Sequence, residues 1–176
     1  MPPILRMRDA SYVSRGVAVV SPTTLDVNPG ERVLLRASNV AQAEALAMMA
    51  AALALPTSGS VEIGEYDPRV QPAHCKRLVG FVPHDPLPLR EMGFDRYVEY
   101  RAALWDIDCE RARAVAHVLL ERLSGMHEAF AYPLVGALVA NPAILVLDRP
   151  QPTYREAIYA AVGPCAIFET EMGSAT

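Results

Sequence analysis

The sequence predicts an α/β fold built on a mostly parallel sheet, with a smaller antiparallel β subdomain at its N-terminus. Short, continuously apolar segments, typical of buried strands, alternate with longer helix-forming segments through most of the chain. Residues 3–27 instead alternate apolar and polar side chains and carry turn signals at short intervals. Neither an internal repeat nor a second domain is visible, so residues 1–176 are interpreted as a single domain.

Composition narrows the class of protein. Of the 176 residues, 52% are hydrophobic and 20% charged, which is enough to bury a sizeable core. The net charge of −4 argues against a nucleic-acid partner, because such surfaces require a basic patch. No apolar run approaches the roughly 20 residues that cross a bilayer, and the N-terminus lacks the apolar core of a signal peptide. We therefore expect a cytoplasmic protein.

A strand–loop–helix unit from Gly30 to Leu53 lies at the centre of the chain's organisation. Residues Arg32–Arg36 form a continuous, buried-strand candidate. The segment Ala43–Leu53 is rich in Ala, Leu and Met and predicts a helix. Residues 78–83, 143–147 and 165–168 are further buried-strand candidates, and Pro68–Lys76 is interpreted as a polar connector. The unit contains no lysine and, after Gly30, no glycine.

The remaining helices are predicted from capping residues and apolar periodicity. Asp95 and Asp108 are placed to cap two helices between Phe94 and Arg122. A third helical stretch runs from Glu128 to Ala140, and residues 94–140 together predict a helical subdomain. Pro152–Val162 is also predicted to be helical.

Four segments resemble the ATP-binding-cassette ATPases of ABC transporters, in that family's order and at about its spacing. They are NPGERVLL, LPTSGSVEIGEYDP, LVGFVPHDP and ALVANPAILVLDRP, beginning at positions 28, 55, 78 and 137. The resemblance covers nearly the whole chain. It implies a P-loop NTPase-like (RecA-like) sheet flanked by helices, an N-terminal antiparallel β subdomain and a shortened helical subdomain.

The same resemblance aligns the family's phosphate loop, GPNGAGKST, with Ala37–Ala45 (ASNVAQAEA). Asn39 is retained, but Val40 replaces a glycine and disfavours the positive φ that such a loop uses. Ala43 replaces the phosphate-binding lysine, and Glu44 replaces the Mg²⁺-binding hydroxyl. A carboxylate about 4 Å from a phosphate charge costs on the order of 4 kcal/mol at an effective dielectric near 20. We therefore expect this loop to disfavour phosphate.

Other positions of the family's site are altered as well. Asp148 matches the Walker B acid, but Arg149 follows it where the family has the glutamate that polarises water, and arginine cannot accept a proton. Asp148 is interpreted as a cap or as a partner of an arginine. His84 falls on the Q-loop glutamine and Glu171 on the switch histidine.

Two motifs survive only as fragments. Ser14 matches the adenine-stacking aromatic, with Tyr12 nearby as an alternative stacking residue. Ser124 and Gly125 belong to an LSGMH sequence that resembles the first half of the LSGGQ signature, but it lies one residue too far from Asp148. The segment before it also looks shorter than in the family.

These losses predict a chain that is not an enzyme but a pseudo-ATPase, without catalytic residues, a metal site or a cofactor. Such a chain is expected to be a scaffold or regulatory partner of a membrane protein or transporter complex, peripheral on the inner face of the membrane. In the family, the region around residues 81–105 receives a coupling helix from a membrane subunit. Its candidate contact residues here are Leu87, Leu89, Met92 and Phe94. No ATP-sandwich homodimer is expected.

Two alternatives remain open. The chain can be an ABC transporter ATP-binding subunit whose weak ATP binding or hydrolysis is completed by a partner. It can also be a sensor for a cation or small ligand in the emptied nucleotide pocket, if the carboxylates of Glu44, Asp148 and Glu171 converge there.

Overall fold

The computed structural model describes residues 1–85 and 92–173. The strands are β1 (Leu5–Ser14), β2 (Val17–Val27), β3 (Arg32–Ala37), β4 (Ser58–Ile63), β5 (Val79–Val82), β6 (Ile144–Asp148) and β7 (Ala166–Met172). The helices are α1 (Val40–Ala50), α2 (Pro72–Leu78), α3 (Phe94–Leu104), α4 (Cys109–Arg122), α5 (Glu128–Leu138) and α6 (Arg155–Val162), and a 3-10 turn at Pro152–Tyr154 precedes α6.

The N-terminal segments form a three-stranded antiparallel sheet in the order β2-β1-β4. Strand β1 lies in the middle, where Leu5 is opposite both Val27 and Ile63. Gly59 lies close to β1 with a φ of +75°, and a Cβ added to it would lie 2.2 Å from the carbonyl oxygen of Asp9. Only glycine therefore permits β4 to approach β1 at this point.

The second sheet is parallel and has the strand order β3-β7-β6-β5. Its central strand β6 is buried along its whole length, as expected for a strand covered on both faces. The predicted fold class is confirmed, since the chain combines an antiparallel sheet with a parallel sheet flanked by helices.

Two hydrophobic cores lie on opposite faces of the parallel sheet. On one face, Leu46 and Met49 of α1 pack between Phe168 of the parallel sheet and the antiparallel sheet. On the other face, helices α3 to α6 cover Leu145 and Leu147, with Leu134 and Ile158 among their fully buried side chains. No helix within the described ranges is long and apolar enough to cross a bilayer.

Helix α2 differs from the sequence prediction, which made Pro68–Lys76 a polar connector. Pro72 stands in its first turn, where a helix has no use for the missing N–H. The helix buries Cys75, and His74 stacks on Tyr66 with ring centroids 4.8 Å apart. One buried thiol and one stacked ring stabilise a helix that is too short to show a periodic pattern.

Candidate functional site

The candidate site lies at the carboxyl ends of the parallel strands, where ligands bind in open α/β sheets. The start of α1, the end of β6 and the loop after β5 meet there. His84, which follows β5, forms a 2.9 Å contact between its Nδ1 atom and the carbonyl oxygen of Arg149. The fold therefore brings the predicted Q-loop and Walker B positions together.

The turn between β3 and α1 consists of Ser38 and Asn39 and is closed by its own side chains. The side chain of Asn39 caps the helix by accepting a 2.9 Å hydrogen bond from the amide of Gln42. The side chain of Gln42 in turn accepts hydrogen bonds from the amide and hydroxyl of Ser38, at 2.7 and 2.8 Å. This reciprocal arrangement resembles a capping box and satisfies donors that a phosphate loop would present to a ligand.

Helix α1 begins at Val40, three residues earlier than predicted. Val40 is therefore the first helical residue, and the expected conflict between its β-branched side chain and a positive φ does not arise. Sequence reasoning missed this because it took the family's loop length, whereas Asn39 and Gln42 supply a strong local start signal.

The residues aligned with the lysine and the Mg²⁺ ligand have different environments. Ala43 is fully buried. Glu44 is exposed and lines a cavity of about 250 Å³ together with Tyr12 and Ser14. The structure thus brings Ser14, the position matched to the adenine-stacking residue, into one cavity with Glu44.

Asp148 and Arg149 form a bidentate ion pair at the end of β6. The Nε and Nη2 atoms of Arg149 donate to the two carboxylate oxygens of Asp148, each at 2.8 Å. Arg149 has a φ of +47°, an unusual conformation for a non-glycine residue that turns its side chain back onto the preceding one. Asp148 is only 4% exposed and accepts a further hydrogen bond from the hydroxyl of Thr170 at 3.1 Å.

The charge of Arg149 is held by more than one carboxylate. Hydrogen bonding to Asp148 is the main cause that raises the pKa of the guanidinium above its ordinary value, and the charges of Glu44 and Asp85 contribute as well. The only cation next to Asp148 among the described residues is therefore already engaged by protein carboxylates. This geometry agrees with the interpretation of Asp148 as an arginine partner.

Glu171 lies on the opposite face of the sheet, contrary to the expectation that it joins Glu44 and Asp148. Side chains alternate along a strand, so Thr170, which reaches Asp148, sends Glu171 to the side of α6. There Glu171 bonds to Arg36 at 2.8 Å and to Arg155 at 2.7 Å. These hydrogen bonds, that from Arg36 foremost, lower the pKa of the carboxyl. In the described part of the chain, no cluster of three potential metal ligands exists.

Glu169 anchors a buried network that the sequence analysis did not identify. It is 1% exposed and pairs with Arg155, and its other oxygen accepts a 2.9 Å hydrogen bond from the hydroxyl of Tyr159. Burial, followed by that bond, raises the pKa of Tyr159 to about 12. An acidic residue inside an apolar final strand was the signal that could have revealed the network.

The signature fragment lies in a turn. Helix α4 ends at Arg122, and Ser124 and Gly125 are exposed, with a φ of +96° at Gly125. The next histidine, His127, caps α5 by accepting from the amide of Ala129 at 3.2 Å. It also lines a cavity of about 220 Å³ shared with His84, so the signature fragment and the Q-loop position are neighbours.

The proposed partner-contact residues are only partly described, since Leu87 and Leu89 lie outside the described ranges. Met92 is half-buried. Phe94 packs internally instead of projecting to solvent, with ring centroids 4.7 Å from Tyr132 and 5.5 Å from His117. Phe94 therefore stabilises the contact between α3 and its neighbouring helices.

No protein-family model matches the chain. Among curated proteins, an ABC transporter ATP-binding protein of Streptomyces coelicolor is 31% identical over 141 residues, which are 72% of this chain. That stretch is 24% of the relative, so the chain spans about a quarter of the length of the curated protein it matches.

Several solved structures share the fold. The ATP-binding subunit of an ABC transporter has a TM-score of 0.80 at 17% identity, covering 96% of this chain and 79% of that one. CbiO1 of Clostridium perfringens, part of the CbiONQ transporter complex, has a TM-score of 0.75 at 15% identity and covers 99% and 80%. The cassette MJ0796, as a dimer in a post-hydrolysis state with ADP and Pi, has a TM-score of 0.76 at 14% identity and covers 96% and 88%.

These comparisons overturn the prediction that the chain is not an enzyme. The curated relative is an ATP-binding protein, and a structural neighbour was captured after hydrolysis with its products bound. The expectation that no ATP-sandwich homodimer forms also lacks support, because the neighbours include dimers.

Sequence similarity to an ABC transporter protein and a shared fold over nearly the whole chain point to one family. The antiparallel β sheet, the parallel sheet and the helices between β5 and β6 occur in the order which that fold requires. The chain belongs to the ATP-binding-cassette domains of ABC transporters.

Proposed function

We propose that the chain is an ATP-binding subunit or domain of an ABC transporter whose nucleotide site is completed by a partner. The observation that carries this proposal is the Asp148–Arg149 pair, which engages a family metal-binding acid within a site that has lost its lysine. A partner cassette would supply the phosphate contacts that Ala43 and Glu44 do not.

The electrostatics of the described site support a requirement for outside help. Phosphate binding needs positive charge, usually from lysine, arginine or a metal ion. Ala43 is apolar and buried, Glu44 is negative, and both donors of Arg149 that face Asp148 are used. A nucleotide bound by this chain alone would meet mainly helix-start amides and the cavity beside Tyr12.

The same geometry favours a regulatory contribution to a transporter complex. Because Arg149 neutralises Asp148 and the β3–α1 turn caps itself, the domain holds its shape without a bound nucleotide. A cassette of that kind can position a membrane subunit and a second cassette throughout a nucleotide cycle. The third reading, a cation sensor, loses its basis because Glu171 lies on the other face of the sheet.

The experiment measures ATP hydrolysis by the chain alone and by the intact complex purified through a tag on this chain. We expect slow or absent turnover by the isolated chain and Mg²⁺-dependent turnover by the complex. Asp148→Asn in this chain should lower the turnover of the complex at least severalfold. Asp106→Asn, at an exposed loop carboxylate, is the matched control.

Two results decide against the proposal. Equal turnover in complexes with Asp148 and with Asn at that position would show that this site does not contribute to hydrolysis. Rapid hydrolysis by the isolated chain would show that no partner is required.

A further inference from the structure

Strand β3 is the outer strand of the parallel sheet and pairs only with β7 among the described residues. The amide of Ile167 donates to the carbonyl oxygen of Glu31, and the amide of Gly173 donates to that of Ala37, both at 2.8 Å. In a parallel pair, every second residue of a strand bonds to the same neighbour. The backbone groups of Arg32, Leu34 and Arg36 consequently point to the open side of β3.

The side chains of the same three residues form an exposed strip on the α6 face of the sheet. Leu34 is 40% exposed and stands between the two arginines, which are both exposed. Val33 and Leu35, on the other face, pack against the core beneath α1. The strip therefore combines free backbone donors and acceptors with an Arg–Leu–Arg pattern of side chains.

The strip carries an excess of positive charge. Arg36 and Arg155 share Glu171, and Arg155 also pairs with Glu169. Arg32 lies over the ring of Tyr159, 4.4 Å from its centroid, and forms no ion pair within the described ranges. Three arginines thus face two carboxylates, and the uncompensated charge lies at the edge.

We propose that the open edge of β3 binds an extended segment of a partner protein as an added strand, with an acidic–apolar–acidic alternation. Main-chain hydrogen bonds to Arg32, Leu34 and Arg36 would supply affinity, as in other cases of strand addition. Acidic side chains beside Arg32 and Arg36, and an apolar one beside Leu34, supply the selectivity. The proposal does not depend on nucleotide binding.

The competing reading is that the arginines protect the edge from unwanted pairing, because charged residues commonly do so on exposed edge strands. The two readings differ in what happens when the charge is changed. A protective role predicts self-association once Arg32 is neutralised, whereas a docking role predicts loss of an acidic ligand.

The test titrates the ¹⁵N-labelled protein with the capped peptide Thr-Glu-Thr-Val-Thr-Glu-Thr and with a control peptide in which both Glu are Lys. We expect saturable binding of the acidic peptide below about 1 mM, a binding free energy near −4 kcal/mol. The amides of Arg32, Leu34 and Arg36 should shift and become protected from exchange. The Lys peptide should bind at least tenfold more weakly.

Variants separate the backbone contribution from the charge. Leu34→Pro removes an N–H that faces the open side, which an edge strand tolerates, and should abolish binding. Leu34→Thr keeps that N–H and should retain most of the affinity. Arg32→Glu should weaken binding of the acidic peptide at least tenfold and improve binding of the Lys peptide.

Several outcomes would overturn the proposal. They are equal binding of both peptides, undiminished binding by Leu34→Pro, and amides of Arg32, Leu34 and Arg36 that are already protected without peptide. Self-association of an Arg32→Ala variant without any peptide binding would establish the protective reading instead. Thermal unfolding of each variant confirms that the fold is retained.

Discussion

Two carboxylate–arginine centres lie on opposite faces of the parallel sheet and differ in how they are built. The Asp148–Arg149 centre, on the α1 face, joins adjacent residues and lies at the candidate nucleotide site. The Glu169 centre, on the α6 face, joins β7 to α6 through Arg155 and Tyr159. The first is local and needs an unusual backbone conformation, whereas the second links distant parts of the chain.

The difference separates a functional centre from a structural one. A pair of neighbouring residues contributes little to tertiary structure, so its burial at the end of β6 is better explained by the site it neutralises. The Glu169 network connects residues 14 positions apart and holds α6 onto the sheet. Its loss should cost stability, and the loss of Arg149 should mainly change what the site can bind.

The largest expected effect is on folding, at Glu169. Arg155→Ala leaves the 1% exposed carboxylate of Glu169 without its cation, which for a buried pair costs about 3–5 kcal/mol. Urea unfolding measures this change. Arg36→Ala, whose side chain is 73% exposed, is the control and should cost less than about 1 kcal/mol. Similar losses for both variants would contradict the distinction between a buried and an exposed partner.

At the nucleotide-site pair, Arg149→Ala should lower the free energy of unfolding by about 1–3 kcal/mol, because a buried acceptor loses its donors. Asp148 keeps its hydrogen bond from Thr170, so the loss should be smaller than at Glu169. A double-mutant cycle with Asp148→Asn gives the coupling, expected at roughly 0.5–3 kcal/mol. Zero coupling would mean that the ion pair is not formed in solution.

For ligand binding, Glu44→Gln removes an exposed negative charge from the cavity beside Tyr12 and Ser14. We expect Mg-ATP to bind up to about tenfold more tightly to this variant, equivalent to about 1.4 kcal/mol. Isothermal titration measures the change. Glu65→Gln, an exposed carboxylate in the turn after β4, serves as control and should leave affinity unchanged. An unaltered dissociation constant for Glu44→Gln would show that Glu44 does not repel phosphate.

The smallest effect concerns pH. Because Arg36 and Arg155 lower the pKa of Glu171 from its model-peptide value of 4.5, its ionised form stabilises the folded state. That contribution is complete above pH 4.5 and is lost as pH falls through the lowered pKa of the folded protein. Glu171→Gln should therefore flatten the decline in stability below pH 4.5, as followed by circular dichroism during acid titration. An unchanged acid profile would contradict the role of these ion pairs.

Much of the fold could be predicted because buried strands leave a strong pattern. The run ILVLD at the end of which Asp148 stands is apolar at every other position, and its burial is complete. Helix α2 was missed because it is short and because Pro68 and Pro72 resemble loop punctuation. Tertiary packing of Cys75, which no local pattern reports, decides its structure.

The candidate site was predicted in part. Its positions followed from the resemblance, and the structure brings His84, Asp148 and Arg149 together. Glu171 was misplaced because a one-residue difference along a strand reverses the face that a side chain occupies. The charge of Arg149 was considered only as a missing base, whereas its left-handed backbone, which turns it onto Asp148, is not encoded in any short motif.

The self-capped turn between β3 and α1 also bears on how the protein survives in the cell. A ligand that binds only the folded state adds RT ln(1 + [L]/Kd) to stability, which is about 0.4 kcal/mol when its concentration equals Kd. With Asn39 and Gln42 already satisfying the start of α1, weak nucleotide binding adds little beyond that. The folded lifetime of this chain should therefore be nearly the same in energised and starved cells, while partner cassettes that depend on ATP for stability turn over faster.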